Sequence, residues 1–268
     1  MDFTRALSTF EHADARELRM FPDHLGDDLS ALWLEYGDDP DPSNRDRLIY
    51  LTMQEVALVG PASFNASGVC DALGISYPMV NYYFGNRDGL IAEAAHVTYV
   101  RYVAKLWAAV QAAPRTPVDR LRAYLRAHLR LNIEIRGWGA VLNYPIFSST
   151  IATILDERFG EEHRRHFELN MAHLGQLILD LWEDRVADVA YGVDDFPRER
   201  MLANAALRDA TAALSWGTLG VAVWRSGRHA PSRGIAELTR MEDDLVAGYI
   251  ENLIRFTRGA RPDEGAAR

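Results

Sequence analysis

The chain has 268 residues, 48% of them apolar and 25% charged, with a formal net charge of −9. That is the length and composition of a soluble globular protein of one or two domains. Cys70 is the only cysteine, so no intrachain disulfide can form and a reducing cytoplasm is the expected setting.

Residues 1–44 are acidic and interrupted, without the pattern of a secretory signal. They carry eleven acids against Arg5, Arg16 and Arg19, a net of −8. Leu29, Leu32, Trp33 and Tyr36 fall at i, i+3, i+4 and i+7, which predicts a short helix with one apolar stripe. Gly37-Asp38-Asp39-Pro40-Asp41-Pro42 then reads as a linker.

Residues 45–90 predict three short helices. Leu48, Ile49, Leu51, Val56 and Val59 load the first, and Gly60-Pro61 stops it. Asn65 is placed to cap a second helix carrying Val69, Cys70 and Leu73. Gly74 allows a sharp turn, Ser76 is placed to cap a third helix, and Pro78 suits that helix's first turn. Two short helices joined through a glycine turn form the helix-turn-helix unit that reads DNA.

With these residues in this order, the segment resembles the amino-terminal domain of the tetracycline-repressor (TetR) family. Gly60, Asn65, Val69, Leu73, Gly74, Ile75, Ser76, Val80, Tyr82, Tyr83, Phe84, Asn86, Arg87 and Leu90 fall in step with that family's pattern. Asn81 stands where the family usually has Tyr, and Arg87 where it usually has Lys. No β-type alternation is evident in the chain, so an all-α fold is expected. The resemblance implies a DNA-binding domain at 45–90 and a helical effector-binding and dimerisation domain at 91–268, and it does not cover the acidic extension at 1–44. It also implies a homodimeric regulator, a repressor, released from a palindromic double-stranded DNA operator by a small molecule.

On the third helix, Tyr77, Pro78, Met79, Asn81 and Tyr82 surround the exposed side, while Val80, Tyr83 and Phe84 face the core. Asn81 suits bidentate contact with adenine, and Met79 suits a thymine methyl. Arg47, Asn65, Ser76 and Arg87 complete the candidate DNA-contact set. Arg87 is a candidate phosphate ligand, with simple helix-start chemistry beside Asp88 as the alternative. The alternative for the whole set is a small helical bundle with incidental polar residues. The charge favours that alternative, because 45–90 carries three arginines against four acids. Few phosphates can be neutralised, so the salt dependence should be shallow, with Tyr77, Tyr82 and Tyr83 supplying neutral contacts. The acidic extension is expected either to hold a negative surface near this face or to brace the fold.

After residue 90 the pattern is helical throughout. Ile91, Ala95, Thr98, Tyr102 and Leu106 give one face of a long helix, and Val97, Val100, Val103, Trp107 and Val110 give a second. Pro114 and Pro117 end it. Val118, Leu121, Leu125, His128 and Leu129 mark the next helix, and further helices are predicted over 149–159, 161–186, 198–224 and 235–256. The uncharged run between Asp209 and Arg225 is shorter than the roughly 20 residues of a membrane span, so it reads as a buried helix.

Aromatic residues are dense from Trp107 to Trp182. They are either ordinary core or the lining of an interhelical cavity; the resemblance favours a cavity, for an apolar or aromatic ligand. Tyr102, Trp107, Tyr124, His128, Trp138, Tyr144, Phe147, Phe167 and Met171 are its candidate residues. His128 is a core histidine or a polar group of that cavity. His163, His166 and His173 recur on one helix, but Arg164 and Arg165 between them predict a solvated face, not a metal site. Cys70 reads as a buried thiol.

Small residues on the penultimate helix allow close approach, and the resemblance implies pairing of the last two helices across a two-fold axis. Ala213, Gly217, Gly220, Trp224, Leu245, Tyr249 and Phe256 are the candidate interface. No nucleophile–base pair, metal-ligand spacing or phosphate loop is evident, so no cofactor is expected and an enzyme is the weakest reading. The rival to a regulator is a dimeric small-molecule-binding protein whose helix-turn-helix no longer binds DNA.

Overall fold

A computed structural model describes residues 42–135, 149–187, 204–226 and 235–260. The acidic extension lies outside these residues, as do Trp138, Tyr144 and Phe147. Every regular element among the described residues is a helix, so the all-α expectation holds. In chain order they are α1 (Asn44–Ser63), α2 (Ala66–Leu73), α3 (Pro78–Phe84), α4 (Arg87–Ala112), α5 (Pro117–Ile135), α6 (Ser149–Glu183), α7 (Ala205–Ser226) and α8 (Ile235–Ala260). No described helix is long and apolar enough to cross a membrane.

Local chemistry accounts for the boundaries of the first four. Ser43 caps α1, its hydroxyl accepting from the Asp46 amide at 3.2 Å. The α1 backbone breaks at Gly60 (φ 77°, ψ 163°), so the glycine stop expected from the sequence is present, with one further turn through Pro61 to Ser63. Asn65 Oδ1 accepts from the Ser67 and Gly68 amides at 3.1 and 3.2 Å and starts α2. Gly74 ends α2 in the left-handed region (φ 66°, ψ 30°). Its amide donates to Asp71, and that of Ile75 to Cys70, which together close the last turn. The N-cap position of α3 is Tyr77, not Ser76, and it carries no side-chain cap; Ser76 instead accepts the Met79 amide on its carbonyl at 3.0 Å. Asn86 caps α4 through the Gly89 amide at 2.8 Å.

One predicted boundary is absent. The sequence places a break between Phe159 and Glu161, but α6 runs unbroken from Ser149 to Glu183 through Gly160. A helix-interior glycine costs only about 1 kcal/mol, and no proline or cap residue there enforces a stop.

The chain forms two compact units. Of the described residues, the first holds 42–102, 131–135 and 149–163, and the second holds the rest. The division falls after Tyr102, inside α4, because α4 is one continuous helix that serves both cores. Leu48, Leu51, Met53 and Val56 of α1 are buried with Val69, Val80, Phe84, Leu90 and Ile91 in the first unit. Cys70 is buried there too, and burial raises its thiol pKa, with the Asp71 charge adding to the effect. In the second unit, Leu106, Tyr124, Leu125, Leu174, Ile178, Leu214 and Val246 are among the buried residues.

Candidate functional site

The face of α3 sorts as its period requires. Val80 and Phe84, four apart, are fully buried. Pro78 and Asn81 are exposed, Tyr82 is 78% exposed and Tyr77 38%. Met79 and Tyr83 are intermediate, and the Tyr83 ring meets Tyr82 and Phe84 edge-on at 5.0 and 5.9 Å. The structure therefore brings Tyr77, Pro78, Asn81 and Tyr82 together on one accessible surface. A carboxamide flanked by two phenols offers donors, acceptors and flat apolar area, but no positive charge.

Arg87, expected as a phosphate ligand, is engaged inside the unit. Its guanidinium donates to the carbonyls of Pro61 (2.5 Å) and Phe64 (3.3 Å) and pairs with Asp88 at 2.8 Å. It also lies over the Phe64 ring, 5.5 Å from the centroid. Its position ties the start of α4 to the last turn of α1 and to Phe64 just beyond it. Arg45 is likewise committed, to Glu93. Arg47 is half-buried and donates to Asn44 at 3.3 Å. Asn65 uses its side-chain oxygen as the α2 cap, and its own amide donates to Glu55 Oε1 at 3.3 Å. Glu55 is buried, and its Oε2 takes no hydrogen bond from any described residue. Burial pushes its pKa up from 4.5 to about 7, against the lowering effect of the Asn65 amide.

In the second unit the candidate ligand residues form a packed cluster. Tyr124 is fully buried, its ring 5.4 Å from Trp107 and stacked on His128 at 5.8 Å. Trp107 Nε1 donates to Asn170 at 3.0 Å, and its ring lies 5.0 Å from His173. Burial lowers the His128 pKa from 6.5 to about 4, so its imidazole is neutral. Beside this cluster, Gln176 donates to Asp180 at 2.6 Å and the Ala187 amide closes on the same carboxylate at 3.1 Å. Trp107, Arg120, His173, Gln176 and Asp180 line a recess with room for one water at most. Met171 is half-buried, and Tyr102 is buried within the first unit. Phe167, placed among the cavity residues by its spacing, is 52% exposed instead. Sequence spacing also missed Asn170, Gln176 and Asp180, which only folding brings beside Trp107.

The last two helices divide the candidate interface. A Cβ on Gly217 would lie 3.3 Å from the Tyr249 hydroxyl, so these two residues pack α7 on α8 within one chain. Leu207, Ala210, Thr211, Leu214 and Thr218 form the buried face of α7. Ala213 and Gly220 are exposed on another face, together with Trp216 at 62% exposure. Leu245 is half-buried, and Trp224 and Phe256 fall outside the described side chains.

No protein-family model matches the chain, and no curated protein matches it. Among solved structures, it is similar to a candidate transcriptional regulator from Pseudomonas aeruginosa PAO1. The two are 18% identical, with a TM-score of 0.49, over 81% of this chain and 93% of that one.

Proposed function

We propose that the chain is a DNA-binding transcriptional regulator that works as a homodimer and answers to a small molecule, most simply as a repressor. One observation carries the reading: α2, the left-handed turn at Gly74 and α3 follow one another with Tyr77, Pro78, Asn81 and Tyr82 accessible and Val80 and Phe84 buried. A short helix anchored on one face and polar on the other suits insertion into the major groove. Asn81→Ala is then expected to weaken binding to a duplex carrying the chain's own upstream sequence by roughly 1–3 kcal/mol and to relax base preference at one position. A gel shift at low salt checks this, and a variant that binds as the parent does would falsify the assignment of α3.

A second reading is favoured by the arginines. Arg45 and Arg87 are held by Glu93 and by the Pro61 and Phe64 carbonyls, and 45–90 is near neutral. A dimeric ligand-binding protein without DNA affinity fits those facts, and the same gel shift on the parent separates the two readings. If the parent binds, its salt dependence is shallow.

For assembly, the exposed Ala213/Trp216/Gly220 face of α7 is the surface a second copy would cover, as in the TetR-like arrangement. Trp216→Asp is expected to give a folded monomer in sedimentation. Gly217→Leu meets Tyr249 within the chain instead, so overpacking lowers stability by about 1–3 kcal/mol. A Trp216→Asp variant that remains a dimer places the interface elsewhere.

An apolar or aromatic effector would bind beside Trp107, Tyr124 and His128. It acts by preferring the conformation in which the two α3 helices no longer match the roughly 34 Å repeat of the major groove. Because α4 is continuous from its cap at Asn86 to Ala112, its tilt is the simplest carrier of that change.

A further inference from the structure

The end of α3 is held by a residue distant in sequence. Arg158, on the part of α6 that belongs to the first unit, donates to Glu93 Oε1 at 3.1 Å and to the Phe84 carbonyl at 2.5 Å. Phe84 is the last residue of α3, and a helix's last carbonyls have no amide partner within the helix. Glu93 is nearly buried and also takes the Arg45 guanidinium from the start of α1. Arg45 in turn lies over the Phe84 ring, 5.7 Å from its centroid. One carboxylate thus stands between two guanidiniums and joins α1, α3, α4 and α6.

The backbone leaves room for this contact. A Cβ on Gly89 would lie 3.2 Å from the Arg158 guanidinium and 2.1 Å from the Phe84 carbonyl oxygen. One on Gly85, where φ is 82°, would lie 3.5 Å from the same nitrogen. Around Arg158, α6 follows α4 closely: the Phe159 ring stacks on His96 at 4.1 Å, and His163 lies 4.6 Å from Tyr99. Arg158 therefore links this part of α6 directly to the last turn of α3.

We propose that Arg158 is the positioning residue of the reading helix, fixing the last turn of α3 against α4 and coupling its orientation to α6. This rests on the reading of α3 as the DNA-contacting helix. The forked guanidinium bonds Glu93 and Phe84 together; a lysine keeps the charge but not the fork.

Amide hydrogen exchange and duplex binding on the full chain test it, with Arg158→Met, Arg158→Lys and Glu93→Gln beside the parent. Arg158→Met is expected to speed exchange over residues 81–90 by about tenfold or more and to leave α7 unchanged. Binding to the upstream duplex should weaken by about tenfold, with affinity for a random duplex changing less. Arg158→Lys should recover part of both effects, and Glu93→Gln should resemble Arg158→Met. Unchanged exchange over 81–90 overturns the proposal, as does a uniform rise across the chain, which marks a general packing role. If the parent binds no DNA, the reading of α3 fails, while the local exchange response still decides whether Arg158 holds this helix.

Discussion

Tyr124→Ala is expected to lower the stability of the chain by about 3–5 kcal/mol, the range for removing a large buried aromatic ring. Tyr124 is 1% exposed and lies against both Trp107 and His128. Its hydroxyl hydrogen-bonds to Asn170, whose Oδ1 also receives Trp107 Nε1, so truncation opens a void and strips a partner from a buried amide. Tyr124→Phe keeps the ring and loses only that hydrogen bond, for about 1 kcal/mol. In denaturant titrations the midpoint should fall far more for Ala than for Phe, at similar slope. Equal losses would show that the ring fills no packed core. The void also bears on the proposed effector site, because a cavity walled mainly by aromatic and aliphatic side chains can take up a small aromatic molecule. Indole is expected to restore part of the Tyr124→Ala stability in proportion to its concentration, and to do less for the parent.

How much was legible in the sequence depended on how local the physics was. Asn65 as a cap and Gly74 as a left-handed stop are decided within four or five residues, so spacing alone located them. The same held for the inward Val80 and Phe84, which follow from helical period. Gly160 misled because a glycine permits a break without requiring one, and packing along α6 outweighs its small propensity cost. Arg87 and Arg158 could not be assigned, since the carbonyls they bind belong to residues at least 23 positions away. Gly217 and Trp216 are neighbours on one helix, and composition could not tell which faced α8. Only the contact with Tyr249 separates the side of α7 used within the chain from the side left exposed.

The pH dependence of stability should contain two opposed slopes, one from each unit. Glu55 titrates near 4.5 when exposed and at about 7 when folded. Between those values the folded chain holds a proton that the unfolded chain has released, so stability falls as pH rises through the window. The full loss above pH 7 is about 3 kcal/mol. His128 runs the other way. Its folded pKa of about 4 lies below the ordinary 6.5, so stability falls as pH drops between them, again by about 3 kcal/mol. In the parent the two effects largely offset between pH 4.5 and 6.5. Glu55→Gln keeps an acceptor for the Asn65 amide and removes the buried charge. It should therefore be more stable than the parent at pH 8 and should lose stability steeply toward acid. His128→Gln should show the reverse, resisting acid and weakening as pH rises. Because the residues belong to separate units, their effects should add, and the double variant should be nearly flat across that window. Denaturant midpoints from pH 4.5 to 8 measure all four proteins. If Glu55→Gln tracks the parent at every pH, the buried Glu55 carboxyl is not protonated in the folded chain, and the cause assigned to its shift is wrong.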